Sequence, residues 1–316
     1  MPLMQELIYG CMGLGGSWSD EPHEAKHVDQ AAAAVQAAMD AGITLFDHAD
    51  IYRRGKSEAV FGEVLAATPG LRERIRLQTK CGIRLNERGL QTHYDLSREG
   101  ILERVNSSLG RLRTDFVDVL LLHRPDPLAD PAEVASAVGQ LMAEGKVRQL
   151  GVSNMSAAQI EALRDRLETP VVANQLEMSL LKRAWLESQV LVNHPDHLEY
   201  SFPHGTLEYC ARNNITLQAY GSLARGAYTG AELESPAPAE AATAELVAEL
   251  AVQYGTTGES VLLGWLMKHP SGIAPVIGTA NPERILACAD AERVAGAMTR
   301  ADWYRLWVTA RGSNIP

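Results

Sequence analysis

The chain has 316 residues, 46% of them hydrophobic and 22% charged, and a formal net charge of −10. That is the balance of a globular protein with a large core, and it excludes a nucleic-acid binder that tracks phosphates with a basic stripe. No stretch is long and apolar enough to span a membrane, Met1–Glu6 lacks a signal-peptide pattern, and Cys11, Cys81, Cys210 and Cys288 form no Cys-x-x-Cys pair, so a reduced, cytoplasmic, metal-free protein is expected.

Short β-branched or Leu-rich runs occur near 8–11, 43–46, 75–79, 117–122, 148–152, 171–174, 215–219 and 273–277. Amphipathic segments alternate with them near 27–41, 57–67, 97–110, 131–145, 156–166, 203–213, 240–254 and 281–289. Such alternation predicts parallel strands joined by crossover helices. Eight units in one chain of this length favour an α/β closed (β/α)₈ barrel over an open doubly wound sheet. Additional helices are predicted near the C-terminus, over 259–268 and 299–310. The stretches 18–26, 81–95, 124–130, 182–201 and 234–240 read as loops, and no linker interrupts the pattern, so 1–316 is expected to form a single barrel domain.

Chemistry in such barrels collects at the C-terminal ends of the strands. Asp47 ends the second predicted strand, with Tyr52 five residues on. Lys80 ends the third and His123 the fourth; Ser153 and Asn154, Gln175, Tyr220, and Gly278 with Thr279 follow the next four. Each alone is commonplace as a turn, cap or surface group. Together Asp47, Tyr52, Lys80 and His123 make a proton-transfer set.

Carbonyl reduction needs a hydride on carbon and a proton on oxygen. A Tyr hydroxyl with an ordinary pKa of ~10 is a weak acid at neutral pH, and a neighbouring ammonium lowers that value by ~1–3 units. Lys80 suits that task, with Asp47 keeping it charged and in place. His123 suits donation of a hydrogen bond to the substrate oxygen. Tyr52 is therefore the expected acid, and no metal is required. A barrel hydrolase or isomerase for phosphorylated sugars would call for paired carboxylates or metal ligands at strand ends, and neither pattern is present.

Phe46-Asp47-His48-Ala49-Asp50-Ile51-Tyr52, with Gly55-Lys56-Ser57-Glu58 and Phe61-Gly62, resembles one signature of the aldo-keto reductase family. Gly145-Lys146-Val147-Arg148 followed by Leu150-Gly151-Val152-Ser153-Asn154 resembles a second. The likeness runs nearly end to end, and it is strongest to a bacterial subgroup with His-Ala-Asp-Ile-Tyr and His-Arg-Pro-Asp-Pro, the latter at 123–127. It implies catalytic roles for Asp47, Tyr52, Lys80 and His123, an NADPH cofactor and a small-molecule carbonyl substrate. It also implies that Ser153, Asn154 and Gln175 hold the nicotinamide carboxamide and that Tyr220 stacks on the ring. Gly221, Ser222, Leu223 and Arg225 would pass the pyrophosphate, with Met12 in the turn beside the cofactor and Trp18 reaching the substrate.

Asn281 is a good N-cap and Pro282 a good first helical residue, so a helix N-terminus suited to phosphate is expected after the last strand. Arg284 in its first turn would meet a 2′-phosphate, assisted by Thr279. Many relatives carry Lys where Gly278 stands, which weakens the NADPH preference without reversing it. Arg53, Arg54, Arg84 and Arg124 follow the catalytic residues closely and are expected at the rim of the pocket, where they would favour acidic aldehydes. The different reading to be weighed is a cofactor-binding, redox-sensing or regulatory subunit with the same fold.

Overall fold

The computed structural model describes residues 6–87, 89–231 and 237–316. Residues 1–5 of the N-terminal segment and 234–236 of the predicted loop lie outside these. The chain divides into two compact units, one of Ile8–Gln175 with Gly278–Pro282, the other built mainly from Leu176–Ile277 and Glu283–Pro316.

The first unit contains strands β1 (Ile8–Gly10), β2 (Leu45–Asp47), β3 (Arg76–Cys81), β4 (Ile83–Glu87), β5 (Leu90–Tyr94), β6 (Val117–Leu122), β7 (Val147–Ser153) and most of β8 (Val171–Glu177). Its helices are α1 (Ala25–Asp40), α2 (Lys56–Ala67), α3 (Leu71–Arg74), α4 (Arg98–Leu112), α5 (Pro131–Ala143) and α6 (Ala157–Arg164). Every residue of β6 is buried, as expected of a parallel strand covered on both faces, where runs are apolar instead of alternating. Helix starts follow local chemistry: the hydroxyls of Ser97 and Ser156 and the carboxylate of Asp130 accept from backbone N–H groups of α4, α6 and α5, and Pro131 fills the first position of α5. Parallel registers bring strand ends level, with Asp47 beside Gln78, Lys80 beside Leu121, Leu122 beside Val152, and Ser153 beside Gln175.

The second unit contains β9 (Thr216–Tyr220), β10 (Ile273–Ile277) and helices α7 (Ala184–Val190), α8 (Thr206–Arg212), α9 (Pro238–Tyr254), α10 (Gly258–Met267), most of α11 (Pro282–Leu286), α12 (Ala291–Ala297) and α13 (Arg300–Arg311). Its core is aromatic. Trp265 and Trp303 stack at 5.3 Å and each donates its indole N–H to the other's carbonyl. Buried Glu187 accepts from the Trp307 indole at 2.9 Å and from Arg311 at 3.1 Å, which compensates the burial of its charge.

In the parallel sheet the strand order is β1-β10-β9-β8-β7-β6-β3-β2, closing on itself, while β4 and β5 form a separate hairpin. The fold is thus the (β/α)₈ barrel with extra C-terminal helices. Several details differ from expectation. The stretch 182–201 carries α7 and a 3-10 turn at Pro195–Glu199, 81–95 carries the hairpin, and helix α9 already begins within 234–240, at Pro238. Helix α11 spans five residues where 281–289 was predicted. Among the described residues no helix is long and apolar enough to cross a membrane, and all four cysteines are buried and unpaired by disulfides.

Candidate active site

The segment leaving β2 stays tied to β3 after the strand ends: His48 N–H donates to Gln78 O and Asp50 N–H to Lys80 O. This lays Asp47, Tyr52 and Lys80 against one another. The Lys80 ammonium, with no exposed surface, donates to Asp47 Oδ1 at 2.7 Å and Oδ2 at 2.6 Å, to His48 O at 2.9 Å and to Tyr52 Oη at 3.1 Å. Gln78 adds a donor to Asp47 at 2.6 Å. Because Lys80 donates its hydrogen bond to the phenol oxygen, the Tyr52 hydroxyl hydrogen remains free to be donated onward. His123 lies edge-on to Tyr52, ring centroids 6.1 Å apart, and its Nδ1 is buried with no hydrogen-bond partner.

The electrostatics correct one expectation. Burial raises the Tyr52 pKa above its ordinary 10.0; Lys80 opposes this and Asp47 reinforces it. The ammonium does pull the value down, but its partner carboxylate cancels much of its field, so the net shift is upward. Tyr52 is fully protonated at neutral pH. Lys80 stays charged: burial is the largest single influence and works against the charge, but Asp47 and Tyr52 together outweigh it and raise the pKa above 10.5. Burial, with help from Lys80 and Arg124, drives the His123 pKa well below 6.5, so its imidazole is neutral.

Ser153 and Asn154 follow at the end of β7. Ser153 Oγ donates to Gln175 O at 2.9 Å, and the Asn154 amide donates to Ser153 Oγ at 2.8 Å and to His123 O at 3.3 Å. Asn154 adopts a left-handed backbone (φ 59°), a conformation Asn tolerates better than most residues. Met12 and Trp18 are exposed on the segment that follows β1. Thr279 O accepts from the Tyr9 hydroxyl at 3.1 Å, and Thr279 Oγ1 accepts from Asn281 N–H at 3.2 Å.

In the second unit Tyr220 ends β9 and Gly221 follows with φ 66°. Ser222 is buried and donates to Val276 O at 2.8 Å, and Leu223 leads into the 3-10 turn Ala224–Gly226, where Arg225 is left-handed and exposed. Arg284 lies in α11, half exposed, with its Nε 4.0 Å from Glu259.

Three of the four arginines expected at the rim are engaged in ion pairs or hydrogen bonds to backbone carbonyls, and Arg124 is half-buried. Arg84 is 2% exposed and pairs with Asp95 at 2.9 Å and Glu103 at 3.1 Å. Arg53 and Arg54 donate to the carbonyls of Met12 and Trp18. These three guanidiniums are committed to the fold, so no preference for acidic aldehydes is drawn from them. Two residues that sequence reasoning passed over lie inside the first signature. His48 is wholly buried against Phe61 with neither ring nitrogen hydrogen-bonded, and burial with Lys80 lowers its pKa to about 3. Asp50 is 3% exposed, 3.8 Å from Arg104, and burial and then Glu58 raise its pKa to about 7. Their place between Asp47 and Tyr52 was the available signal. Among the described residues no cluster of His, Cys, Asp and Glu is placed to hold a metal.

The model of the aldo/keto reductase family matches residues 6–302. The chain is 37% identical to the uncharacterized oxidoreductase YcsN of Bacillus subtilis over 89% of this chain and 88% of that one. It is 34% identical to a 6-dehydroglucose reductase of Agrobacterium fabrum over 99% of this chain and 96% of that one. A glycerol dehydrogenase of Gluconobacter oxydans shares the fold, with a TM-score of 0.78 at 22% identity over 98% of this chain and 93% of that one.

Proposed function

The chain belongs to the aldo-keto reductase family and is an oxidoreductase; on that premise we propose that it reduces an aldehyde or ketone to the alcohol with NADPH. The observation carrying this reading is the buried Lys80 ammonium held between Asp47 and Tyr52. A regulatory, cofactor-sensing module would leave that investment in a charged, buried proton-transfer set unexplained.

The residues present suit a nicotinamide dinucleotide. A carboxamide needs both a donor and an acceptor, and the side-chain amides of Asn154 and Gln175 with the Ser153 hydroxyl are of the types that supply both on exchanging the hydrogen bonds they now make among themselves. A Cβ at Gly278 would meet nothing within 4 Å, so space is open there. We assign Ser153, Asn154 and Gln175 to the carboxamide, Tyr220 to the ring face, and Gly221, Ser222, Leu223 and Arg225 to the pyrophosphate. Met12, Gly278, Thr279, Asn281 and Arg284 are assigned to the rest of the dinucleotide. When bound, NADPH supplies the hydride.

The chain's own residues do the rest. Neutral His123 and the Tyr52 hydroxyl orient the carbonyl oxygen and stabilise the negative charge that grows on it. An alkoxide-like oxygen is more basic than a phenolate, so Tyr52 gives up its proton despite its raised pKa. Lys80, already donating to Tyr52 Oη, steadies the phenolate that remains, and Asp47 keeps Lys80 in place. The test is consumption of NADPH with a panel of aldehydes and ketones by the wild type and Tyr52→Phe. The variant should lose reduction while binding NADPH within a few-fold of the wild type. Retention of more than about a tenth of turnover, with chemistry rate-limiting, would falsify Tyr52 as the acid.

A further inference from the structure

The backbone immediately after Tyr52 is unusual. Arg53 (φ 51°, ψ 35°) and Arg54 (φ 59°, ψ 42°) are both left-handed, and Gly55 follows at φ 84°. For residues with a Cβ this conformation is costly, and it persists only where the surroundings over-determine it. Here the surroundings are the segment that follows β1. Arg53 Nε donates to Met12 O at 3.1 Å and Arg54 Nε to Trp18 O at 2.8 Å. Lys56 Nζ donates at 2.8 Å to Ser19 O and to Glu21 O, and Ser57 Oγ to Cys11 O at 2.7 Å. The two backbones touch as well: a Cβ on Gly15, itself at φ 87°, would fall 2.7 Å from the Lys56 carbonyl carbon.

Arg54 has the widest reach of these. Its Nη1 lies 3.2 Å from Asp20. With the Asn86 amide oxygen turned toward it, its Nη2 also donates to Asn86 in β4 at 2.8 Å. The exposed ion pair to Asp20 contributes little by itself. The bond to Trp18 O differs, because it fixes the residue whose ring, 41% exposed, is presented at this end of the segment.

We infer that Arg54 is a positioning residue that ties the place of Trp18, whose ring lies 5.4 Å beneath the Arg53 guanidinium, to the backbone leaving Tyr52, and so sets the site's tolerance for bulky carbonyl substituents. This inference rests on the reading of the site as a carbonyl-reducing one, with Tyr52 as the acid and Trp18 reaching the substrate. Loosening the clamp leaves the hydrogen bonds among Asp47, Lys80 and Tyr52 in place, so small substrates still turn over, while large ones lose the surface that seats them.

Arg54→Ala and Arg54→Gly separate the guanidinium from the strain, since Gly relieves the left-handed backbone and Ala does not. Hydrogen–deuterium exchange of the amides in 13–21 should speed up by about fivefold or more in both, the worth of a lost hydrogen bond. KM for 4-nitrobenzaldehyde should rise by about fivefold more than KM for propanal, with kcat for propanal held within about threefold. Arg54→Lys should restore part of the selectivity. Unchanged exchange in 13–21 overturns the clamp, as does faster exchange with equal KM shifts for the two aldehydes. A wild type inactive with both aldehydes and with NADPH refutes the reductase reading instead, and exchange alone then decides the clamp.

Discussion

Replacing Lys80 with Met keeps the side chain's length and deletes its charge at the most connected point of the site. Asp47, 2% exposed, then loses both of its ammonium contacts and keeps Gln78 as its side-chain donor among the described residues. Breaking a buried ion pair from one side costs about 3–5 kcal/mol, because the remaining charge regains neither partner nor water. At ~2–4 °C per kcal/mol for a chain of this size, Lys80→Met should melt about 6–20 °C below the wild type. Asp47→Leu strands the ammonium in the same way and should cost a similar amount. The double variant removes both charges, so its loss should fall well short of the sum, with a coupling of at least ~2 kcal/mol. Thermal and urea unfolding followed by circular dichroism measure the cycle. Strict additivity would refute the claim that Asp47 and Lys80 compensate each other's burial. Reduction should stay slow even where stability recovers, by about 10–1000-fold, the ~1–3 pKa units that an adjacent charge contributes. The pH dependence has a definite sign. The folded Lys80 pKa lies above its usual 10.5, so its stabilisation is complete below that value and is lost only as pH climbs through the folded one. The gap between wild type and Lys80→Met should therefore stay flat from about pH 6 to about pH 9.

Three further outcomes follow from other residues. Arg284→Ala should weaken NADPH by about tenfold or more and leave NADH unchanged, since each charge-assisted bond to a 2′-phosphate is worth ~1.5–3 kcal/mol; titration of both cofactors against both proteins checks it, and an unchanged ratio places the phosphate elsewhere. His48 takes a proton near 6.5 when unfolded but near 3 when folded, so stability is lost as pH falls across that window. His48→Leu should flatten this acid limb in urea unfolding, and an unaltered limb would count against the orphaned imidazole. The folded Asp50 carboxyl holds its proton to about 7 while the unfolded one releases it near 3.8, so stability falls as pH rises between them. Asp50→Asn should match the wild type at about pH 4 and exceed it at about pH 8, and equal stability at both would refute the assignment.

Much of the barrel was legible because its two signals are local. Strand runs such as 117–122 and 273–277 coincide with β6 and β10, since parallel strands buried on both faces read as unbroken apolar segments. Helix starts at Ser97, Asp130 and Ser156 were set by side chains capping their own backbone. Helix α7 escaped notice because seven residues are too short for periodicity to declare. Trp185 of α7 packs 5.8 Å from Trp265, more than seventy positions on, and Glu187 meets Trp307 and Arg311. The hairpin β4–β5 hid for a related reason. Arg84 reads as a charge at the surface, and its ion pairs with Asp95 and Glu103 make its burial tolerable.

The candidate site divides along the same line. Residue type and strand-end position were enough to propose Asp47, Tyr52, Lys80 and His123, because the proton chemistry of a carbonyl limits which side chains serve. What those side chains become was decided by tertiary structure. The Tyr52 pKa rises instead of falling because burial and Asp47 together exceed the pull of Lys80. Likewise Arg53 and Arg54, cations in the sequence, become braces on the carbonyls of Met12 and Trp18. A sequence specifies which groups carry charge; whether that charge is cancelled, spent on a carbonyl or left to act depends on distances between residues far apart in the chain, which only the fold sets.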